Sequence, residues 1–338
     1  FFAGKCFAET PYKLPAEYFE RLSILGRFLD AITSEDGRSL QVGDNDSGRV
    51  VCISPERYDD LRLVSRLVDR EIGSNVPDEA FFAEEELFYG ASGRATCIPS
   101  WRGGARAFFD AGMALARYGG WSLGFFASDG FVGDSEPGHT HNDKLSLMLG
   151  FKGVPFVVDP GSGVYTRDPK VRNILRGTAQ HSTLRFGDLE QNDFRGLFGY
   201  TRRGGASLDV MEADGAVVLR GATDCWATRL GVIHKRVVEV GSEGVVVKDD
   251  VEGAEPAVAA ARSFVLAPEV DVSVAGRNEA VLTCRGVSVV FCAESDISVR
   301  EGLYSPHYGT VVKSSILDVP FEYGRTNVIT VREILNED

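Results

Sequence analysis

The sequence predicts an α+β chain of more than one domain, with helices first and a large antiparallel β-sandwich after them. Three observations predict it: an apolar stripe of helical period near the start, short β-rich runs later on, and a glycine cluster between the two.

The first ninety or so residues read as helical. From Pro15, apolar residues recur at Tyr18, Phe19, Leu22, Leu25, Phe28, Leu29 and Ile32, the stripe of a helix packed on one face. A second helix is expected from Ser54 as cap and Pro55 at its first position, with Tyr58, Leu61, Val64, Leu67 and Val68 as its buried face. A third, short helix is expected over residues 78–89. Between the first two lies the polar, turn-forming loop Gly43-Asp44-Asn45-Asp46-Ser47-Gly48-Arg49.

Gly90, Gly93, Gly103 and Gly104 mark a boundary, so residues 1–95 are expected as the helical domain and 96–338 as the β-domain. Within the latter, Val217-Val218-Leu219, Val237 to Val240, Val245-Val246-Val247 and Val287 to Phe291 read as strands, with Gly241-Ser242-Glu243-Gly244 as a hairpin loop. No helical segment is expected to interrupt this region.

With 338 residues, 43% hydrophobic and 25% charged, the chain can bury a sizeable core. The formal charge of −13 excludes a general affinity for nucleic acid, and no apolar run is long enough to predict a membrane span. No leader of signal-peptide type opens the chain; Phe1 reads as chain already under way, so an upstream segment is expected and the compartment, bacterial periplasm or cytoplasm, stays open. Six cysteines are scattered without a C-x-x-C pair, although Cys284 and Cys292 flank a strand and could come close. Between Tyr165 and Arg203 eight basic residues form an island in an acidic protein, which reads either as solvated surface or as a site for an anionic ligand.

Three of the five histidines, His139, His141 and His181, fall close together in sequence. In an extended segment His139 and His141 would point to one face. Asp159 follows the apolar strand Val154 to Val158, and His181 opens another at Ser182-Thr183-Leu184. His141, Asp159 and His181 would make three metal ligands with one open position; structural histidines or a purely catalytic pair are the other readings. A tight hairpin at Lys152-Gly153 would set Asp159 opposite Ser146, so the metal reading requires the His139 segment to curl.

Four ordered blocks carry a family resemblance: Gly138-His139-Thr140-His141-Asn142-Asp143-Lys144-Leu145-Ser146, Pro155 to Gly161, Arg172-Asn173, and Thr178-Ala179-Gln180-His181-Ser182-Thr183. Together with His234-Lys235-Arg236, Tyr304 to Gly309 and the Gly43 to Arg49 loop, the chain resembles the C-terminal region of heparinase II/III-like polysaccharide lyases. The resemblance implies a partial α/α toroid followed by an antiparallel β-sandwich. It also implies β-elimination on acidic, uronic-acid-containing polysaccharides such as glycosaminoglycans or alginate. His139 would be the cleft histidine, with His141, Asp159 and His181 binding a structural Zn2+. The family's catalytic tyrosine and asparagine come from toroid helices, and their motif is not found here. Arg49, Arg172 and Arg176 suit bidentate recognition of a uronate, or pairing with Asp44, Asp46 or Asp168; Asn142 could contact substrate, orient the histidines or shape the turn.

Two rival readings accompany this one. Gly133, five residues, then His139-Thr140-His141 matches the start of a cupin metal motif, but Leu145 and Ser146 stand where a glutamate is required. A non-catalytic carbohydrate-binding protein would keep the fold without the chemistry.

Overall fold

The computed structural model describes residues 10–11, 13–34, 37–45, 60–73, 85–87, 101, 103–128, 138–201, 204–213 and 215–334. The chain divides into two compact units, residues 1–40 with 47–102, and residues 41–46 with 103–338. No described helix is long and apolar enough to cross a membrane.

In the first unit, helix α1 (Ala16–Ile32) buries Leu22, Gly26, Leu29, Ala31 and Ile32. Helix α2 (Arg62–Glu71) buries Leu63, Arg66, Leu67 and Val68. A Cβ on Gly26 would meet Val68 Cγ1 at 3.0 Å, so the absent side chain lets the two helices approach. The proposed cap Ser54 and first-turn Pro55 lie outside the described residues; the Asp60 carboxylate accepts from the Arg62 N–H at 3.0 Å where the described helix begins. Of the third expected helix only 85–87 are described, and they are helical. There Glu85 is fully buried and accepts from Arg66 and Arg70.

The second unit opens with strands β1 (Gly104–Phe108), β2 (Met113–Tyr118), β3 (Trp121–Phe126), β4 (Ser146–Phe151) and β5 (Val154–Val157), a five-stranded antiparallel meander. Strands β6 (Leu184–Phe186), β7 (Phe194–Arg195) and β8 (Gly199–Tyr200) follow, then the long β9 (Ala206–Ala213), β10 (Ala216–Thr223), β11 (Ile233–Gly241) and β12 (Gly244–Glu252). The remainder is β13 (Ala260–Val265), β14 (Asp271–Gly276), β15 (Glu279–Cys284), β16 (Val287–Ala293), β17 (Ser298–Tyr304), β18 (Val312–Pro320) and β19 (Asn327–Glu333).

An eight-stranded sheet runs β14-β15-β16-β19-β12-β11-β10-β9, and a four-stranded one β17-β18-β13-β6. Alternate residues of β11 and β12 are buried, so one face of the large sheet is apolar. It packs on side chains from both the five-stranded and the four-stranded sheet in one continuous core, including Phe125, Phe156, Val238, Val247, Phe264 and Leu317. The two smaller sheets are stitched into one layer by the bridge between Val157 and Leu266 and by the Val158 N–H donating to Val265 O. This is the predicted sandwich.

Two expectations need correction. Helices do interrupt the β-region: α3 (Pro169–Leu175) and the short α4 (Ala227–Leu230). The first was legible, since Asp168 caps it by accepting from the N–H groups of Lys170 and Val171, and Pro169 stands at its first position. Cys284 and Cys292 lie at opposite ends of the β15–β16 hairpin, opposite Val287 and Glu279 respectively, so they do not come close. The hairpin at Ser242-Glu243 forms as expected, with Gly241 opposite Gly244.

Candidate functional site

The segment carrying His139 and His141 is not extended; residues 138–145 form a series of turns ahead of β4. The expectation of two imidazoles on one strand face therefore fails, because no neighbouring strand pairs with this stretch. It is held by individual bonds instead. The Asn142 N–H donates to Arg176 O, the Ser146 N–H to Asp143 O, and the Thr183 hydroxyl to Lys144 O. Leu145 closes the turn at φ 59°, a left-handed conformation that costs an L-residue on the order of 1–2 kcal/mol and persists because its side chain is fully buried.

The curl that the metal reading required is thus present, and the β4–β5 hairpin adds a second adjustment. Phe151 pairs with Val154 around Lys152-Gly153 as expected, but the register shifts at Gly150, so Val157 faces Leu149. Pairing ends there, and Asp159 has left the sheet instead of lying opposite Ser146. The Gly161 N–H then fixes one Asp159 oxygen at 2.9 Å. A Cβ on Gly161 would lie 2.4 Å from Ser305 O, so this turn accepts no other residue without moving.

His141, Asp159 and His181 are all buried, and one ligand atom from each lies within 4.8 Å of the others. His181 emerges from a short 3-10 turn at Thr178–Gln180, three residues before β6. Its Nδ1 stands 3.2 Å from Asp159 Oδ2 without hydrogen-bond alignment, and neither of its ring nitrogens has a partner. His141 Nδ1 is likewise buried and unbonded. A bare nitrogen from each histidine beside a carboxylate oxygen is what a cation's ligands look like without the cation, and two imidazoles with a carboxylate suit a borderline ion such as zinc. The residues therefore fit a metal. Burial lowers the basicity of His141, which keeps it neutral and able to ligate. For His181 burial acts in the same direction, but attraction to Asp159 outweighs it and raises the pKa above the ordinary value.

Beside this cluster sits Asp44, which the sequence marks only as a possible arginine partner. Its carboxylate is almost fully buried, yet one oxygen lies 2.9 Å from His139 Nδ1 and the other 3.0 Å from His141 Nε2. Arg172 completes the arrangement, donating from Nη2 to Asp44 Oδ2 at 2.8 Å. Burial pushes the Asp44 carboxyl up, but the bond and charge of His141 and the charge of Arg172 prevail and hold it below the usual carboxylate range. The close approach depends on Gly43 at φ 60°, where a Cβ would lie 2.4 Å from His139 O. No local spacing could have revealed this contact, since 95 residues separate Asp44 from His139.

His139 differs from its neighbours in exposure, with 69% of its side chain open to solvent. Tyr165 and Phe198 flank its ring at 6.2 and 6.1 Å. The other expected ligand contacts turn inward. Arg172 is fully buried, and Asn142 is saturated by Glu190, Asn192 O and the Asn192 N–H. Both hold the site together from the protein side, and every polar atom of Asn142 already has a partner. Arg176 is buried too, stacked 4.0 Å from the Phe194 ring centroid and bonded to Asn173 and Gly196 O. Arg49 lies outside the described residues. Tyr200 donates to Thr140 O, and burial raises its pKa well above the ordinary value, which makes it a structural hydroxyl.

The chain matches the family described as "Heparinase II/III-like, C-terminal" over residues 102–332 and belongs to that family. In fold it is similar to a heparinase III, the BT4657 gene product, at TM-score 0.70 and 15% identity, covering 95% of this chain and 47% of that one. A heparan sulfate lyase, HepC from Pedobacter heparinus, superposes at TM-score 0.67 and 18% identity, covering 96% and 48%. A third structure, of a heparinase III, gives TM-score 0.68 and 16% identity, covering 95% and 49%. The chain thus spans about half the length of these proteins. A comparison with curated proteins finds no match. Membership of this family displaces the cupin reading.

Proposed function

We propose that the chain carries the β-domain and part of the active site of a polysaccharide lyase that cleaves an acidic, uronic-acid-containing polysaccharide by β-elimination. The observation that carries this reading is a single exposed histidine, His139, braced against a buried, metal-competent cluster on the fold of the family. The heparinase III and heparan sulfate lyase names of the similar structures support the substrate class, heparan-like or another uronate polymer.

In this reading His139 takes the C5 proton of the uronate through its outward nitrogen. The C5–H electron pair forms the C4–C5 double bond, the C4–O4 bond breaks, and O4 leaves with a proton from a second acid. Charge that builds on the uronate carboxylate needs a donor; Arg49 is our candidate. A Zn2+ held by His141, Asp159 and His181 would be structural, fixing the turn that presents His139.

The test is the ultraviolet absorbance of the unsaturated uronate product, read for the full-length gene product with heparan, alginate and glucuronan. Signal from at least one polymer, lost in His139→Ala, is expected; silence from all of them removes the lyase reading. A fully folded wild-type protein containing no metal by elemental analysis would remove the zinc.

A further inference from the structure

Asp44 bridges two histidines with different surroundings, and its two oxygens are occupied differently. His139 Nδ1 faces Oδ2, and His141 Nε2 faces Oδ1. An ionised carboxylate only accepts, so each of those nitrogens must carry the proton of its bond; a bare nitrogen lone pair at 3.0 Å from a carboxylate oxygen would be repelled. Arg172 Nη1 also stands 3.2 Å from His141 Nε2, which would suit an unprotonated nitrogen there. Yet Arg172 has Asp44 oxygens within reach of both its terminal nitrogens, whereas Asp44 is the acceptor that His141 Nε2 meets. The carboxylate decides the tautomer.

We propose that Asp44 is a positioning residue that fixes opposite tautomers on His139 and His141, leaving Nε2 of the first bare towards solvent and Nδ1 of the second bare towards the metal cluster. The consequence is a mechanical link between the exposed histidine and the buried one. The Nδ1–H form is the less favoured tautomer of a free neutral imidazole in water, so His139 is held in a state it would not choose alone. The bare Nε2 is the atom that a proton-abstracting role requires. The bare, buried Nδ1 of His141 is the atom a metal requires, with its Nε2–H donated to a carboxylate as metal-binding histidines commonly do. One carboxylate thereby serves both sites, and Arg172 donates to it from Nη2. The catalytic half of this inference rests on the lyase reading; the tautomers do not.

The experiment is histidine-selective 15N labelling of the whole protein and long-range 1H–15N correlation at alkaline pH, with and without added Zn2+. Five single-histidine variants assign the five signals. His139 is expected as the Nδ1–H tautomer and His141 as Nε2–H, and in Asp44→Asn His139 should revert to Nε2–H. Finding His139 as Nε2–H in the wild type, or finding no change in the variant, overturns the proposal. The wild-type spectrum needs no substitution to fold, so a misfolded variant leaves the test decisive. Zinc affinity and kcat of Asp44→Asn should each fall about 10–100-fold, with KM little changed. If the wild type cleaves no uronate polymer while the tautomers are as stated, the lyase reading fails and the positioning role stands.

Discussion

Two buried clusters in the β-unit use the same three residue types to opposite ends. In one, His139, His141 and His181 gather around Asp44, Asp159 and Arg172; in the other, His234 and Arg236 on β11 grip Asp249 on β12. The second is closed at its carboxylate, although His234 Nδ1 is also buried and unbonded. Asp249 accepts from His234 Nε2 at 2.7 Å and from Arg236 Nε at 2.7 Å and Nη2 at 3.1 Å. The first is open, with unbonded nitrogens of two histidines converging beside Asp159 and one imidazole exposed. A carboxylate that meets its partners within the fold stabilises; one flanked by converging bare nitrogens invites a ligand. The clusters are also joined, because Arg236 Nη1 donates to Leu145 O and Ser182 O, the backbone that follows the His139–Lys144 turn and His181. The closed cluster clamps the open one.

Breaking the closed cluster should have the largest effect. Asp249→Ala leaves Arg236 charged and unpaired inside the sandwich, and a loss of about 3–5 kcal/mol in denaturant unfolding is expected; unchanged stability would refute the structural role. His139→Ala should do the reverse, lowering turnover about 10²–10⁴-fold while the unfolding midpoint stays put, since the side chain is mostly exposed. A drop in stability instead would make His139 structural.

Arg236→Lys probes the joint. Lysine cannot reproduce the forked bonds to Asp249 and two carbonyls, so zinc should be lost to chelator about 10-fold more readily although no ligand has changed. Equal zinc retention would show the clusters to be independent. The smallest effect is on acid stability. Burial, only partly offset by Asp249, lowers the pKa of His234; burial opposes the lowering of Asp249, but Arg236 and His234 prevail. Both folded values lie below the unfolded ones, so the unfolded chain binds more protons as pH falls. The contribution of this pair to stability should be full above about pH 6.5, decline below it as His234 contributes, and fall further below about pH 4 as Asp249 does. His234→Gln should flatten the first decline relative to wild type, and a slope identical in both proteins would discount that histidine.

The α-then-β order, the β-hairpins at Lys152-Gly153 and Ser242-Glu243, and the grouping of His141 with Asp159 and His181 were written in the sequence, because periodicity, turn residues and residue type are local properties. Asp168-Pro169 was equally legible as a helix start. The shape of the His139 turn was not. It depends on a register shift at Gly150, a left-handed Leu145 and bonds from Arg176, Thr183 and Arg236, none of which leaves a pattern near residue 139. Asp44 reaches the site only because the fold returns residues 41–46 to the β-unit and Gly43 admits the backbone of His139. The sequence alone determined which residue types were available for chemistry; the tertiary structure decided which were bare and which were bonded, since that depends on partners a hundred residues away.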